Sequence, residues 1–435
     1  MSQKPLHALT LAEAVGGIAA GKFHARALAD AELARIDATD AAIQAWTHLD
    51  RGAVHAAATR CDATPAKDRS PLHGVGIGVK DIIATVDMPT QMGSVVYAGN
   101  RPHADATCIA RLKHAGAYVF GKTVTTELAY FHPGKTRNPW NPRHTPGGSS
   151  SGSAAAVAAG HVAGAIGTQT NGSVIRPAAY CGVVGFKPTK DAIPYAGALV
   201  FSESLDQMGT FARTVAGAAL LASALADPGA IAAVPAALAK APRFAYLGDF
   251  PWTELDCADD DTREAAATTL RLAADVVQVD FPADWRDVHL VHRTIMLYEA
   301  ARNRGQLQDR ERGRLSAKLN AALDEGRAIA AADYDAALAA RQRAIAAFTR
   351  LLDGFDAILA PSAPSAAPAD LTATGDPACC TLWSLVGFPA INLPVGLNAD
   401  KLPIGLQIAS PLGTDDRLLS VAAWAEARLP FTGLV

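Results

Sequence analysis

The sequence is poor in charge and in aromatic side chains. Charged residues make up 19% of the 435 positions and aromatic residues 6%, and the formal net charge is −3. We find no long basic run, so the composition gives no reason to expect nucleic acid as a partner. Hydrophobic residues account for 50% of the chain, which is enough to fill a sizeable core.

Paired cysteines and long apolar runs are also absent. Six cysteines are scattered along the chain, with no CxxC pair and no Cys/His grouping at zinc spacing. We therefore expect no metal and no cofactor, and reduced thiols in a cytoplasm. No stretch reaches about 18 uninterrupted apolar residues, and the N-terminal segment carries Glu13 rather than a signal-peptide core. These features predict a cytoplasmic protein without a membrane partner.

The pattern of apolar residues predicts an α/β fold. Residues 9–60 show the three- and four-residue steps of amphipathic helices, and residues 76–80 form a short apolar run typical of a strand. Residues 105–116 predict a helix capped by Asp105. Such alternation indicates a sheet covered by helices. The charged, proline-free segment 284–353 predicts surface helices, one of which covers the functional site.

Three segments carry candidate chemistry. Ser149 lies in the glycine-rich run Gly147–Gly152, Ser173 follows the dipeptide Asn171-Gly172, and Lys80 ends the strand at residues 76–80. A serine is a poor nucleophile unless a base activates it. A lysine can be that base when burial or nearby cations lower its pKa.

Each segment also has a simpler interpretation. Asn-Gly is a common hairpin turn, and a lysine at a strand end often points to solvent. The serine run could be a linker or a helix N-terminus, with Ser151 or Ser153 as the cap. If the loop is catalytic, left-handed backbone at Asn171 and Gly172 would aim successive N–H groups at one point.

Taken together, the motifs resemble the amidase signature family. The resemblance runs from about residue 8 to the C-terminus and is densest between Leu72 and Thr214. The matching segments are Gly78–Asp81, Gly121–Glu127, Asn138–Asn141, Pro146–Ser153, Gly172–Pro177, Gly182–Pro188, Ser204–Gly209, Leu385–Ala390 and Leu402–Gln407. The number of segments in the right order makes the signal specific, although none of them is specific alone.

The resemblance implies one amidase domain over residues 1–435. Its fold would be the amidase-signature fold, a central mixed β-sheet covered by helices on both sides. The signature core would span about 70–215, and the helical segment that covers the substrate about 284–353.

The resemblance also implies a Ser–cis-Ser–Lys triad. Lys80 matches the family's lysine, Ser149 the bridging serine and Ser173 the serine that is acylated. The bond between Gly148 and Ser149 would be cis. The backbone N–H groups of Thr170, Asn171, Gly172 and Ser173 would form the oxyanion hole, and no metal would be needed.

Three neighbouring residues have roles that the triad does not assign. Many relatives have glycine where this chain has Asn171, and an acidic residue where it has Gln169. Gln169 and Arg176 are candidates for substrate contact. Arg176 resembles a widespread family arginine, so a structural role competes with binding a substrate carboxylate through its planar fork.

The leading hypothesis is an amide hydrolase that cleaves the C–N bond of a small carboxamide or urea-like compound through an acyl-enzyme on Ser173. The alternative is the amidase subunit of a glutamyl-tRNA amidotransferase, which works in a complex. A third hypothesis, of another class, is a catalytically silent binding protein on an amidase scaffold. The expected partner is a small-molecule amide, and a homodimer is left open.

Overall fold

A large mixed sheet forms the centre of the protein. The computed structural model describes residues 4–255, 263, 264, 267, 270, 271, 273–429 and 431–434. Within them the sheet has eleven strands in the order β1-β3-β2-β4-β6-β5-β10-β11-β9-β7-β8. The strands are β1 (Trp46–His48), β2 (Gly76–Lys80), β3 (Tyr118–Thr123), β4 (Gly164–Gln169), β5 (Val184–Lys187), β6 (Gln207–Ala212), β7 (Arg243–Tyr246), β8 (Asp275–Gln278), β9 (Ala357–Pro361), β10 (Ala390–Leu397) and β11 (Pro403–Ala409).

Helices cover this sheet. They are α1 (Leu11–Ala19), α2 (Ala25–Ile43), α3 (Arg51–Asp62), α4 (Thr107–His114), α5 (Ser151–Ala158), α6 (Ile175–Cys181), α7 (Val215–Leu225), α8 (Val288–Glu311), α9 (Ala317–Ala328), α10 (Ala331–Leu351), α11 (Ala378–Val386) and α12 (Asp415–Glu426). None of the described helices is long and apolar enough to cross a membrane.

The centre of the sheet is buried on both faces. Strand β2 runs parallel to β3 and β4, whereas β4, β6 and β5 pair antiparallel. Every residue of these five strands is buried. Because successive side chains of a strand point to opposite faces, both faces must be covered. The predicted α/β fold with a central mixed sheet and helices on both sides is confirmed.

Two details of the predicted elements are wrong. The helix predicted over 105–116 begins at Thr107, and its N-cap Ala106 makes no side-chain hydrogen bond. Asp105 instead accepts from the Val86 backbone N–H at 2.8 Å and binds the Lys113 ammonium. The carboxylate is therefore used to hold a neighbouring loop rather than to cap the helix.

The segment 284–353 is helical, as its composition predicts. It contains α8, α9 and α10, and buried Glu299 of α8 ties the segment to the loop before β6. The Glu299 carboxylate accepts from the hydroxyls of Ser202, Ser204 and Tyr334. Met296, one turn earlier on the same helix, reaches the pocket described below.

Candidate active site

Lys80 ends strand β2 with its side chain completely buried. Its Nζ donates to Ser149 Oγ at 2.7 Å and to Thr168 Oγ1 at 2.8 Å. Burial lowers the pKa of Lys80 to about 7, although the negative charge of Asp206 acts in the opposite direction. A large fraction of this amine is therefore neutral near pH 7 and able to accept a proton.

The serine-rich loop places Ser149 against that amine. The Gly148–Ser149 peptide bond is cis, and Ser149 is almost fully buried. The next residue fixes the loop to β4, because Ser150 Oγ donates to the Thr168 carbonyl at 3.1 Å and accepts from the Thr168 N–H at 3.2 Å. Among the three adjacent serines, only Ser149 contacts Lys80.

The prediction that Ser151 or Ser153 caps the following helix is wrong. Helix α5 begins at Ser151, and its N-cap Ser150 makes no side-chain cap bond. Ser151 Oγ donates to the Val124 carbonyl at 3.2 Å, and Ser153 Oγ to the Ile166 carbonyl at 2.9 Å. These hydroxyls join α5 to the sheet, because the whole helix is buried and its polar groups need partners there.

A narrow pocket opens beside Ser149. It is lined by Ala129, Tyr130, Phe131, Ser149, Thr170, Asn171, Gly172, Ser173, Arg176, Phe201, Met296 and Thr374. The cavity volume is about 20 Å³, little more than one water molecule requires. The structure thus brings Ser149, Ser173 and Arg176 to one place, while Lys80 lies behind Ser149.

The nucleophile loop does not adopt the predicted left-handed turn. Neither Asn171 nor Gly172 has a positive φ. Gly172 is needed for a different reason: a Cβ there would lie 2.9 Å from the Cβ of Pro377 and 3.3 Å from Arg176 Nη1. The loop is therefore shaped by close packing against the start of α11, which leaves no room for a side chain.

Gln169 is completely buried at the end of β4. Its Oε1 accepts from the backbone N–H groups of Val174 at 2.7 Å and Ile175 at 3.0 Å. These N–H groups lie at the start of α6, which its N-cap side chain leaves uncapped, so Gln169 satisfies donors that helix geometry leaves free. Its Nε2 donates to Ser384 Oγ at 3.0 Å. Both ends of this amide contact the protein itself.

Arg176 is buried in the pocket wall with part of its guanidinium free. Nη2 donates to the Gly148 carbonyl at 2.7 Å and to Thr374 Oγ1 at 3.1 Å. Nε and Nη1 have no hydrogen-bond partner among the described residues. Burial lowers the pKa of Arg176, but an arginine stays charged in proteins. The pocket wall therefore contains a cation with unused donors.

Sequence reasoning missed the residues that support the site from behind. Asp206, in the matched segment Ser204–Gly209, accepts from Thr170 Oγ1 at 2.5 Å and from the Phe201 N–H at 2.7 Å. Burial raises the pKa of Asp206 to about 6. The motif could have drawn attention to Asp206. His292, which contacts the Thr170 carbonyl, lies outside every matched segment.

Metal ligands do not cluster in the part of the chain that the structure describes. No group of three or more His, Cys, Asp or Glu side chains there could hold a metal ion. Five cysteines, at positions 61, 108, 181, 379 and 380, are free thiols. The sixth, Cys257, lies outside the described residues.

Comparison with known proteins defines the class. The family model for Amidase matches residues 27–419. A curated relative from Salinispora arenicola, the amidase-family component of its glutamyl-tRNA(Gln) amidotransferase, is 33% identical, and the alignment covers 98% of this chain and 99% of the relative. The protein is thus an α/β enzyme of the amide-hydrolysing or amidotransferase class.

Solved structures agree with this class. A crystal structure of an amidase has a TM-score of 0.88 at 30% identity, covering 97% of this chain and 100% of the other. The native peptide amidase of Stenotrophomonas maltophilia has a TM-score of 0.82 at 30% identity, covering 98% of each. The chain belongs to the amidase family, and the resemblance inferred from the motifs is confirmed.

Proposed function

We propose that the protein hydrolyses a carboxamide through an acyl-enzyme on Ser173. The observation that carries this proposal is the buried contact between Lys80 Nζ and Ser149 Oγ, in the wall of a pocket that Ser173 also lines. A buried amine of lowered pKa has no structural need for a serine beside a second serine. It suits a relay that removes a proton.

In this mechanism neutral Lys80 accepts the Ser149 proton while Ser149 takes the proton of Ser173. The Ser173 oxygen attacks the amide carbon, and the carbonyl oxygen becomes an anion. Backbone N–H groups of residues 170–173 stabilise that anion. The relay then returns the proton to the leaving nitrogen as the C–N bond breaks. Water attacks the ester by the same path and regenerates Ser173.

The comparisons support the amidotransferase-subunit hypothesis better than the free-standing hydrolase. The curated relatives from Salinispora arenicola and from an Anaeromyxobacter species are both amidotransferase subunits, aligned over nearly their whole length. We therefore infer that this amidase works within a complex and passes ammonia to a partner-dependent reaction. The free-standing hydrolase of small amides is the second candidate, favoured by the high TM-score of the amidase structure. The family membership argues against the silent binding protein.

One assay separates these candidates. Purified chain is incubated with a panel of small carboxamides, amino-acid amides included, and ammonia is measured, while a fluorophosphonate probe reports Ser173. The subunit hypothesis predicts labelling with little ammonia release from the chain alone, and more release once partner subunits are added. Rapid release without partners would contradict it and favour the free-standing enzyme. Folded protein with neither labelling nor turnover would refute the hydrolase.

Two coarser assignments accompany this proposal. We propose a single amidase domain over residues 1–435, with its signature core at about 70–215 and the segment 284–353 as the cover of the site. One continuous sheet from β1 to β11 supports this, as does the position of Met296 at the pocket. The free thiols support a reducing compartment such as the cytoplasm.

We further propose that Arg176 binds a carboxylate of the substrate. Its unused Nε and Nη1 donors are buried in the pocket wall, where leaving charge-assisted donors unpaired is costly. Gln169 is better explained as a positioning residue, since both ends of its amide are occupied. Asn171 Oδ1 accepts from Thr381 Oγ1 at 2.8 Å, so its amide is likewise held.

Substitution of Arg176 tests that assignment. With Arg176→Met we expect the KM for malonamate, which carries a carboxylate, to rise about 10-fold to 100-fold, as loss of a charge-assisted hydrogen bond predicts. The KM for neutral malonamide should change far less. Steady-state ammonia release with both substrates measures this, with partner subunits present if turnover needs them. Equal losses for the two substrates would instead assign Arg176 to holding the Gly148 carbonyl.

A further inference from the structure

Two helices hold the nucleophile loop from behind. His292 of α8 is buried, and its Nε2 lies 3.0 Å from the Thr170 carbonyl oxygen. Because a carbonyl can only accept, Nε2 must carry the hydrogen. Ser384 of α11 donates its hydroxyl hydrogen to the Asn171 carbonyl. Two successive carbonyls of the loop are thus anchored to side chains of distant elements.

Anchoring a carbonyl also directs the next N–H group. In a planar trans peptide the C=O and N–H bonds point in opposite directions. The Thr170 carbonyl shares its plane with the Asn171 N–H, and the Asn171 carbonyl with the Gly172 N–H. Among the described residues, neither of these N–H groups nor that of Ser173 has an acceptor. All three residues line the pocket, so unpaired donors gather beside the serine.

We propose that His292 and Ser384 are positioning residues that aim the Asn171 and Gly172 N–H groups at the oxygen of the reacting carbonyl. This rests on the proposed acylation of Ser173. Stabilisation of an oxyanion depends on donors that are fixed before the charge develops. The two side chains supply that fixation, because they hold the peptide planes without touching the substrate.

Gln169 sets the direction of the Ser384 hydrogen. A hydroxyl has one hydrogen to donate, and Gln169 Nε2 donates to Ser384 Oγ, so that hydrogen is left for the Asn171 carbonyl. A carboxylate at position 169 could only accept, and it would compete for the same hydrogen. The amide at this position therefore matches the anchoring of Asn171 by Ser384.

The test compares pairs of variants that differ in one donor. His292→Phe keeps a ring but removes the N–H, whereas His292→Gln retains an N–H donor. Ser384→Ala removes the hydroxyl, and Ser384→Thr retains it. His289→Phe is the matched control, because His289 lies on the same helix and stacks on Trp252 at 5.3 Å instead of contacting the loop. The readouts are the rate constant of fluorophosphonate labelling of Ser173, kcat and KM for the best amide, and Tm.

We expect His292→Phe and Ser384→Ala to lower both kcat and the labelling rate constant about 10-fold to 100-fold, the scale of a displaced or lost oxyanion donor. KM should change by less than about 3-fold, because the donors act on the charge that develops in the transition state. His292→Gln and Ser384→Thr should recover part of the loss. Gln169→Glu should lower the labelling rate constant in the same direction, and His289→Phe should match the wild type.

Several results would overturn the proposal. Wild-type labelling by folded His292→Phe and Ser384→Ala would do so. So would losses that follow Tm, with the donor-retaining variants no better than the donor-free ones, because that pattern assigns a purely structural role. Failure of the proposed function looks different: the wild-type protein itself would then show neither labelling nor turnover.

Discussion

Ser173→Ala is expected to abolish both amide hydrolysis and labelling by a fluorophosphonate probe. The reaction needs an oxygen that bonds to the amide carbon, and a methyl group cannot supply one. Removing the nucleophile of a serine hydrolase lowers kcat by about 10⁶-fold, so we expect turnover near background. The fold should be preserved, because the Ser173 side chain is only half-buried and accepts no structural bond among the described residues. Mass mapping of the labelled peptide and ammonia release measure the outcome.

Ser151→Ala provides the matched control for Ser173→Ala. Ser151 is also a buried serine near the pocket loop, but its Oγ donates to the Val124 carbonyl and does not contact Lys80. This variant should keep labelling and turnover, with a stability loss of about 1 kcal/mol for one hydrogen bond. If Ser173→Ala were labelled at the wild-type rate, the nucleophile would have to be another residue.

Lys80→Met is expected to cost at least about 10³-fold in kcat. Without the amine, the proton of Ser149 has no acceptor, and neither serine becomes a nucleophile. Stability should not fall in parallel. Burial lowers the pKa of Lys80 from its ordinary value of 10.5 to about 7, so the unfolded chain binds this proton more tightly than the folded one. The buried lysine therefore weakens folding below pH 10.5, and methionine removes that cost.

The pH dependence of the reaction follows from the same group. Only neutral Lys80 can act as the base, so kcat/KM should rise with pH and level off above about pH 7. The same rise should appear in the rate constant for labelling of Ser173. Circular dichroism and Tm separate loss of chemistry from loss of fold in Lys80→Met. Turnover near the wild-type rate in this variant, or a rate that does not change between about pH 5.5 and 8.5, would assign the base to another residue.

Local patterns predicted the scaffold of the site because each needs only a few neighbouring residues. The apolar run before Lys80 is strand β2, and the glycines around Ser149 form a loop that is too crowded for larger residues. A Cβ on Gly148 would lie 2.9 Å from Thr374. Boundaries were less accurate, as at Asp105, because a side chain can choose between its own helix and a neighbouring loop.

The backbone at Asn171 shows the limit of such local reasoning. The dipeptide Asn-Gly permits left-handed angles, and the sequence therefore predicted a turn of that kind. The loop instead packs against Pro377 and Cys380, which lie far along the chain, as the close approach to Gly172 shows. Local propensity is a weak preference that tertiary contacts override.

The sequence by itself determined the family, the α/β fold and the three residues Lys80, Ser149 and Ser173, because these depend on ordered motifs and on the chemistry of each side chain. The tertiary structure decided how the loop around Ser173 is held. His292 lies 122 residues from Thr170 and Ser384 lies 213 from Asn171. Contacts over such separations exist only once the sheet and its helices have packed, so no motif records them.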